Sequence, residues 1–168
     1  MNAIPSMPTG EQLLALEVEV RRSGTALAAA DLHGCWQLDQ VWPKGSRRPA
    51  SFSALLLRGL AARLEIGPGG GPQPDGLTLS NAVNLGPVEL RFRGPGWLQG
   101  RRPLLVFQFD QLELRLAGRL LLQRTLPAPA PRRQPFFALI ARDAAAGWLA
   151  ARGRGGGLAL WRLAAPRP

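Results

Sequence analysis

The feature that most constrains the fold is a strict alternation of apolar and charged side chains in the second half of the chain. It runs from Val88 to Arg93 and returns from Leu112 to Leu116. Successive side chains of a β-strand point to opposite faces, so this period predicts half-buried strands. The alternation therefore predicts strands with one apolar face turned inward and one charged face turned to solvent.

Other apolar runs extend the predicted sheet. Leu105, Phe107 and Phe109 share one face, and the apolar positions slip from odd to even numbers near Asp110-Gln111, which predicts a turn or bulge there. The run Phe136–Arg142 fits either a strand or a helix. The remaining strand candidates are Ala62–Ile66, Leu120–Leu126, Trp148–Ala151 and Leu158–Leu163.

The stretch Leu32–Leu38 marks the start of the sheet. Gly34 and Trp36 lie two apart, so on a strand they share one face, and the glycine leaves room for a backbone or ring beside the indole. A Gly-x-Trp at this place is typical of small ligand-holding barrels of the lipocalin type, although Trp36 as a plain core residue fits equally. The final strand is predicted to pair with this one, which leaves the sheet no open edge.

Helical patterns are confined to the first part of the chain. An apolar stripe at spacings of three and four predicts an amphipathic helix from Glu11 to Arg22. A shorter helical turn is predicted at Ala26–Ala30, and the pair is expected to cover one mouth of the barrel. Further along, Ser51–Leu60 also has helical spacing.

Glycine and proline mark the predicted loops. Gly94–Gly96 and Gly100–Pro103 bracket a connection that carries Trp97. The other predicted loops are Pro43–Pro49, Gly67–Gly76, the extended connector Pro127–Pro131 and the hairpin tip Arg152–Gly157.

The length of 168 residues suits one domain. We predict a single barrel domain over 11–163, with disordered ends at 1–10 and 164–168. Met1–Gly10 lacks the basic and apolar regions of a secretory signal, and no apolar run approaches the ~18 residues that cross a bilayer. The expected location is therefore cytoplasmic, with no transmembrane segment.

The charge of the chain is strongly uneven. Residues 1–84 carry seven basic and seven acidic side chains, whereas 85–168 carry 14 basic and four acidic ones, which accounts for the net charge of +10. A positive field attracts anionic lipid surfaces or nucleic acid, and the arginine bias also fits a GC-rich genome. Because the aromatic residues alternate into a predicted core, no nucleic-acid partner is expected. The residues predicted to face an anionic membrane are two tryptophans beside glycines and four arginines: Trp97, Trp148, Arg101, Arg102, Arg152 and Arg154.

Residues with catalytic chemistry are sparse. His33 and Cys35, the only histidine and cysteine, lie two apart, but a dyad needs a third orienting group and a metal site needs two more ligands. The carboxylates are scattered singly, and no nucleophile-elbow or phosphate-loop motif is present. We therefore expect no enzyme, no metal and no cofactor.

Large apolar side chains on the predicted inner face either fill the barrel or line a pocket for one apolar molecule. The sequence leaves both possibilities open. The candidate ligand-binding residues are Trp36, Leu90, Phe92, Phe107, Phe109, Leu114 and Trp161.

Several motifs follow one another in a recognisable order. They are Leu32-x-Gly34-x-Trp36-x-Leu38, Leu79-x-Asn81-x-Val83, a phenylalanine-rich strand pair, Arg152-Gly153 and Leu158-Ala159-Leu160. This order resembles the plastid lipid-associated protein (PAP/fibrillin) family in its short cyanobacterial form, over about Glu11 to Leu163. The resemblance implies a mainly β fold, a lipocalin-like antiparallel β-barrel preceded by a short N-terminal helical segment. It also implies a non-enzymatic protein, peripheral on the thylakoid membrane, that binds quinones, carotenoids or acyl lipids.

The chain departs from the family pattern at three places. Asp39-Gln40 stand where the family usually has Tyr-Thr, and Ala144–Ala146 stand where an acidic residue commonly precedes the hairpin arginine. Arg154 replaces the usual acidic residue at the hairpin tip. A polar ligand contact that depends on those groups is altered here, so the resemblance supports the fold more than the ligand. The alternative function is a protein-interaction or assembly factor with a filled barrel. A second, weaker alternative, which rests only on charge, is a basic nucleic-acid-binding module.

Overall fold

The computed structural model describes residues 7–46, 48, 63–69 and 75–164. Within these ranges the regular structure consists of one α-helix, ten strands and two 3₁₀ turns. The predicted helix Ser51–Leu60 lies outside the described residues, as do most of the two ends predicted to be disordered. The helix α1 spans Gly10–Ser23, and the 3₁₀ turns span Ala29–Leu32 and Pro131–Arg133. The strands are β1 Gly34–Trp42, β2 Arg63–Pro68, β3 Leu77–Leu85, β4 Val88–Gln99, β5 Leu104–Phe107, β6 Gln111–Leu116, β7 Arg119–Thr125, β8 Phe136–Asp143, β9 Trp148–Gly153 and β10 Leu158–Leu163.

Eight of the strands close a barrel. Their order around the wall is β3-β2-β1-β10-β9-β8-β5-β4, and β3 pairs with β4 to complete the ring. Neighbouring strands are antiparallel, and β10 pairs with β1 so that Leu163 lies opposite Trp36. The predicted fold class, a mainly β, lipocalin-like antiparallel barrel preceded by a helical segment, is therefore confirmed. The predicted pairing of the last strand with the strand that holds Trp36 is also confirmed.

Trp36 lies at the centre of the barrel core. Its side chain is fully buried, and its indole Nε1 donates a hydrogen bond of 2.8 Å to the carbonyl oxygen of Leu32. This bond ties the first 3₁₀ turn to the barrel, and Leu32 packs in the same interior cluster. Gly34 has a φ of +147°, and a Cβ there would lie 2.5 Å from Cδ1 of Leu163. The space that Gly34 leaves is occupied by the Leu163 side chain, not by the backbone or ring that the sequence predicted.

The helix α1 packs on the outside of the wall. The side chains of Thr9 and Gln12 cap its N-terminus reciprocally, and its bounds agree with the predicted helix Glu11–Arg22. Its apolar stripe contributes to a second buried cluster on the outer face of the sheet. That cluster contains Leu13, Trp42, Ile140, Trp148, Ala150, Leu158 and Leu160. The expectation that the helix covers a mouth is wrong for α1, which covers the wall, whereas Leu27 and the 3₁₀ turn at Ala29–Leu32 pack against the interior.

A one-residue bulge interrupts the strand opposite β4. Gly96 pairs with Phe107, but Arg93 pairs with Gln111, so two residues of β4 face the three residues 108–110. A Cβ on Gly94 would overlap the carbonyl group of Gln108, so the glycine permits this close approach. The predicted bulge near Asp110-Gln111 is therefore confirmed. The predicted loop around Trp97 is wrong, since β4 continues through Gly94–Gly96 to Gln99.

The hairpin formed by β6 and β7 extends the sheet beyond the closed barrel. β4 pairs with β5 near its end and with β6 near its start, and β7 then pairs with β6. Among the described strands, β7 has no second neighbour. The expectation that the sheet has no open edge is therefore wrong for this hairpin.

One strand settles an ambiguous prediction, and another continues beyond its predicted end. The ambiguous run Phe136–Arg142 is a strand, β8, because it lies between β5 and β9 in the wall. β2 continues to Pro68, into the predicted loop, because Gly67 and Pro68 pair with β3. In the ranges that the structure describes, no helix has both the length and the apolar character required to cross a membrane.

The contacts of Trp36 lead to a prediction about stability. Replacing Trp36 by Phe removes the indole donor, leaves the buried Leu32 carbonyl without that partner and opens a void. We expect the free energy of unfolding to fall by about 2–4 kcal/mol, measured by urea denaturation followed by circular dichroism. The matched control is Trp97→Phe at a half-buried position of β4, where we expect a loss of less than about 1.5 kcal/mol. Equal losses in the two variants would contradict the central role of Trp36.

Candidate apolar ligand site

The barrel encloses a cavity of about 300 Å³ that is partly open to solvent. Residues of β1, β2, β3, β5, β8 and β10 supply its walls, together with the bulge. The lining consists of Leu38, Val41, Arg63, Leu64, Asn81, Phe107, Phe109, Phe137, Ala159 and Trp161. Pockets of this kind, mainly apolar with a few polar groups, are the usual sites of small-molecule binding.

Aromatic rings form a continuous chain across the cavity. Phe92 and Phe109 lie 5.8 Å apart between ring centroids, and the pairs Phe109–Phe107, Phe107–Phe137 and Phe137–Trp161 each lie 5.2 Å apart. The ring of Trp161 meets Phe137 edge to face, at an interplanar angle of 74°. Pairs at such distances are stabilised beyond the area that they bury. The rings give the cavity a firm apolar wall.

Two polar residues, Arg63 and Asn81, also line the cavity, and carboxylates balance the charge of Arg63. The Arg63 guanidinium binds Glu65 and Glu89, at 2.8 Å in each case, and Arg91 binds the same two carboxylates. Burial lowers the pKa of Arg63, but its hydrogen bonds to Glu65 and Glu89 outweigh that effect and raise the pKa overall. Arg63 therefore offers little unpaired charge to a ligand. The cavity suits an uncharged molecule, with the Asn81 amide as its polar contact.

The structure separates the predicted ligand-binding residues into three groups. Phe107, Phe109 and Trp161 line the cavity, whereas Trp36 is fully buried in the core and does not. The remaining three, Leu90, Phe92 and Leu114, are half-buried on β4 and β6 outside the lining. Sequence reasoning missed seven lining residues, which lie on β1, β2, β3, β8 and β10, outside the two strands with strict alternation. They are Leu38, Val41, Arg63, Leu64, Asn81, Phe137 and Ala159.

The two tryptophans predicted to face a membrane do not lie in loops. Trp148 begins β9 and is only 8% exposed, in the outer cluster that the α1 residue Leu13 completes. Its assignment to a membrane surface is therefore wrong. Trp97 lies within β4 and is half-buried.

Arg102 and Arg152, also predicted to face a membrane, hold the helix to the barrel. Both bind Glu17 of α1, which is 3% exposed: Arg152 Nε lies 2.7 Å and Arg102 Nη2 3.0 Å from Glu17 Oε1. Arg21 adds a third contact at 3.0 Å. The hydrogen bond from Arg152 outweighs burial and, with Arg21, lowers the pKa of Glu17 to about 2. These four residues, the Glu17 cluster, join α1 to the wall, so Arg102 and Arg152 are engaged within the fold.

The last two predicted membrane residues remain exposed. Arg101 lies in the turn between β4 and β5. Arg154, at the tip between β9 and β10, donates hydrogen bonds to the carbonyl oxygens of Gln134, at 3.2 Å, and Arg132. The hairpin tip is thereby attached to the connector before β8.

The two residues considered for reactive chemistry lie around the start of β1 and differ in exposure. His33 is exposed, and Cys35 is half-buried in β1. Across the described parts of the chain, no three residues of the types His, Cys, Asp and Glu are grouped in a way that could hold a metal ion.

Fold and cavity together define an eight-stranded antiparallel barrel with a partly open apolar pocket. No protein-family model and no curated protein matches the chain. The resemblance to the PAP/fibrillin family therefore stays a prediction, and the barrel is the part of it that the structure supports.

The Glu17 cluster predicts a specific dependence of stability on pH. The pKa of Glu17 is about 2 in the folded protein and 4.5 ordinarily, so its contribution is complete above about pH 4.5 and is lost as the pH falls toward 2. We expect that loss to be about 3 kcal/mol. Urea unfolding at a series of pH values measures it.

Two variants isolate this effect. Glu17→Gln should remove the acid-dependent loss and, since it leaves Arg152 partly buried without its carboxylate, lower stability at neutral pH by about 3 kcal/mol. Glu19→Gln, at an exposed position of the same helix, should leave the pH profile unchanged. If Glu17→Gln lost stability at low pH as the wild type does, other carboxylates would be responsible for the acid dependence of stability.

Proposed function

We propose that this protein is a non-enzymatic carrier that binds one small, uncharged apolar molecule in the barrel cavity, at the surface of the thylakoid membrane. The observation that supports binding is the unfilled cavity of about 300 Å³ with its wall of aromatic rings. Binding there removes apolar surface of the ligand from water without a cost for forming the site. The thylakoid location comes from the PAP/fibrillin resemblance.

The size of the cavity narrows the choice among quinones, carotenoids and acyl lipids. Its volume lies at the lower end of the range of small-molecule sites, which begins at roughly 300 Å³. A carotenoid is much longer than such a cavity, so only one end of it would be enclosed. A quinone ring, or the end of an acyl chain, fits this volume better. The Asn81 amide can donate a hydrogen bond to a quinone or ester carbonyl.

A quinone tests the proposal directly. Quinones quench tryptophan fluorescence at short range, and Trp161 lines the cavity. Titration of the protein with decylplastoquinone should therefore quench its emission in a saturable way. Trp161→Phe should lose most of the saturable quenching while it keeps the fold.

A variant that fills the cavity tests whether the quinone binds there. Ala159→Phe places a ring in the lining, and we expect quinone binding to weaken by at least about tenfold, which is ~1.4 kcal/mol. The matched control is Ala144→Phe in the exposed turn between β8 and β9. Circular dichroism should show the same strand content in both.

Two results would contradict the proposal. One is equal quinone affinity for Ala159→Phe and the wild type, which would place any binding outside the cavity. The other is an absence of saturable binding together with no apolar molecule retained in native mass spectrometry of the protein purified from its source. That combination would favour the alternative, an assembly factor whose barrel serves as a scaffold.

A further inference from the structure

The exposed leucines of the described chain gather on one projecting part of the sheet. Six large apolar side chains of the described residues are 41–60% exposed, and five of them lie on the end of β3 and on the β6–β7 hairpin. We call these five the leucine lip: Leu85, Leu116, Leu120, Leu121 and Leu122. The sixth, Val18, lies apart on α1. A cluster of this kind marks an interaction surface.

The leucine lip presents apolar side chains on both faces of the hairpin. Leu122 lies opposite Leu114, which lies opposite Leu90 on the inner face of the sheet. Leu120 lies opposite Arg115, which belongs to the outer face with Glu89. A protein laid against one face would leave the leucines of the other face in water. A lipid layer surrounds an inserted hairpin and covers both.

The charge around the leucine lip complements an anionic surface. The hairpin carries Arg115, Arg119 and Arg124, and the last two are exposed. Its single acidic residue, Glu113, is buried and paired with Arg115 at 2.9 Å. The exposed charges of the hairpin are therefore positive. Each arginine near an anionic bilayer favours binding, and leucines beside them enter the interfacial layer.

The leucine lip is continuous with the cavity along the inner face of the sheet. One row of cross-strand partners contains Val83, Leu90, Leu114 and Leu122, and the next contains Asn81, Phe92 and Leu112, with Arg124 at its outer end. Asn81 lines the cavity, and Phe92 contacts the lining residue Phe109. Exposure falls along this path from Leu122 to the cavity. An apolar molecule thus has a continuous apolar path from the lip inward.

We infer that the leucine lip inserts into the interface of an anionic bilayer and forms the entrance through which apolar molecules reach the cavity. The inference that the leucine lip docks on a bilayer is argued from its exposed leucines and arginines. The inference that the lip is the entrance to the cavity rests on the proposed function. The partner is a lipid surface that carries negative headgroups.

Vesicle sedimentation with the full chain tests the docking step. The probes are vesicles of phosphatidylcholine alone and of phosphatidylcholine mixed with phosphatidylglycerol. We expect binding to the mixed vesicles at low salt, and a decrease as salt is added. Leu120→Thr/Leu122→Thr, which changes one leucine on each face and keeps strand propensity, should weaken binding by at least about tenfold. Val18→Thr, a change of an equally exposed side chain on α1, should bind as the wild type does.

The contribution of charge is tested with two double arginine variants that have the same net charge as each other. Arg119→Gln/Arg124→Gln should weaken binding to the mixed vesicles by about fivefold per arginine at low salt. Arg22→Gln/Arg132→Gln removes the same two charges from exposed positions elsewhere and should weaken it much less. Equal losses in the two double variants would show that net charge alone attracts the protein and would overturn the assignment to the hairpin.

Failure of this inference can be told apart from failure of the proposed function. With decylplastoquinone in solution and no vesicles present, Leu120→Thr/Leu122→Thr should still bind, whereas Ala159→Phe should still bind vesicles. Equal sedimentation of wild type and the leucine variant would overturn the docking surface. So would a dimer in analytical ultracentrifugation that the leucine variant abolishes, without vesicle binding, since a second copy of the chain would then cover the lip.

Discussion

The close approach of the Gln108 backbone to Gly94 decides how the sheet is divided. Because glycine has no Cβ, the bulge at residues 108–110 fits against β4. Before the bulge the chain is β5, which pairs with β8 in the barrel wall; after it the chain is β6, which pairs with β7. The bulge also lets Phe109 join Phe107 in the cavity wall. After the bulge, the side chains on the inner face are those of even-numbered residues, such as Leu112 and Leu114. The cavity and the projecting hairpin therefore depend on the same backbone irregularity.

The arginines divide into those that hold the fold and those that face solvent. Arg152 and Arg102 bind the buried Glu17 and fix α1 to the outer wall, while Arg63 and Arg91 share Glu65 and Glu89 on β2 and β4. Partly buried pairs of this kind are costly to break, because the remaining charge loses its partner. Arg119 and Arg124, in contrast, are exposed beside leucines. Some arginines thus stabilise the packing of α1 and of β2 against β4, whereas others form an exposed positive surface on the hairpin.

The sequence predicted the strands more successfully than the way in which other elements cover them. Alternation of side chains identified β4 and β6, and the change of phase near Asp110 identified the bulge, because strand period is a local property. Burial of Trp148 depends on the helix α1, which packs against the neighbouring strand β8 and shares a cluster with Trp148. The local sequence around Trp148 does not reveal that contact. Gly94–Gly96 read as a turn, since the same residues that allow turns also allow close backbone approach within a strand. The lining of the cavity was recovered only in part, because Phe137, Ala159 and Asn81 come from strands that meet only after the barrel closes.

An apolar cavity that opens to solvent is a cost to the barrel, because part of its apolar lining faces water. A larger side chain at a position such as Ala159 would cover that lining. Exposed leucines on a projecting hairpin are a second cost, since they favour association in water. The proposed activity would account for both features: a molecule taken from a lipid surface would fill the cavity, and the lipid surface would cover the leucines. A scaffold with a filled barrel requires neither feature, which is why a lipid-associated carrier is the function that we favour.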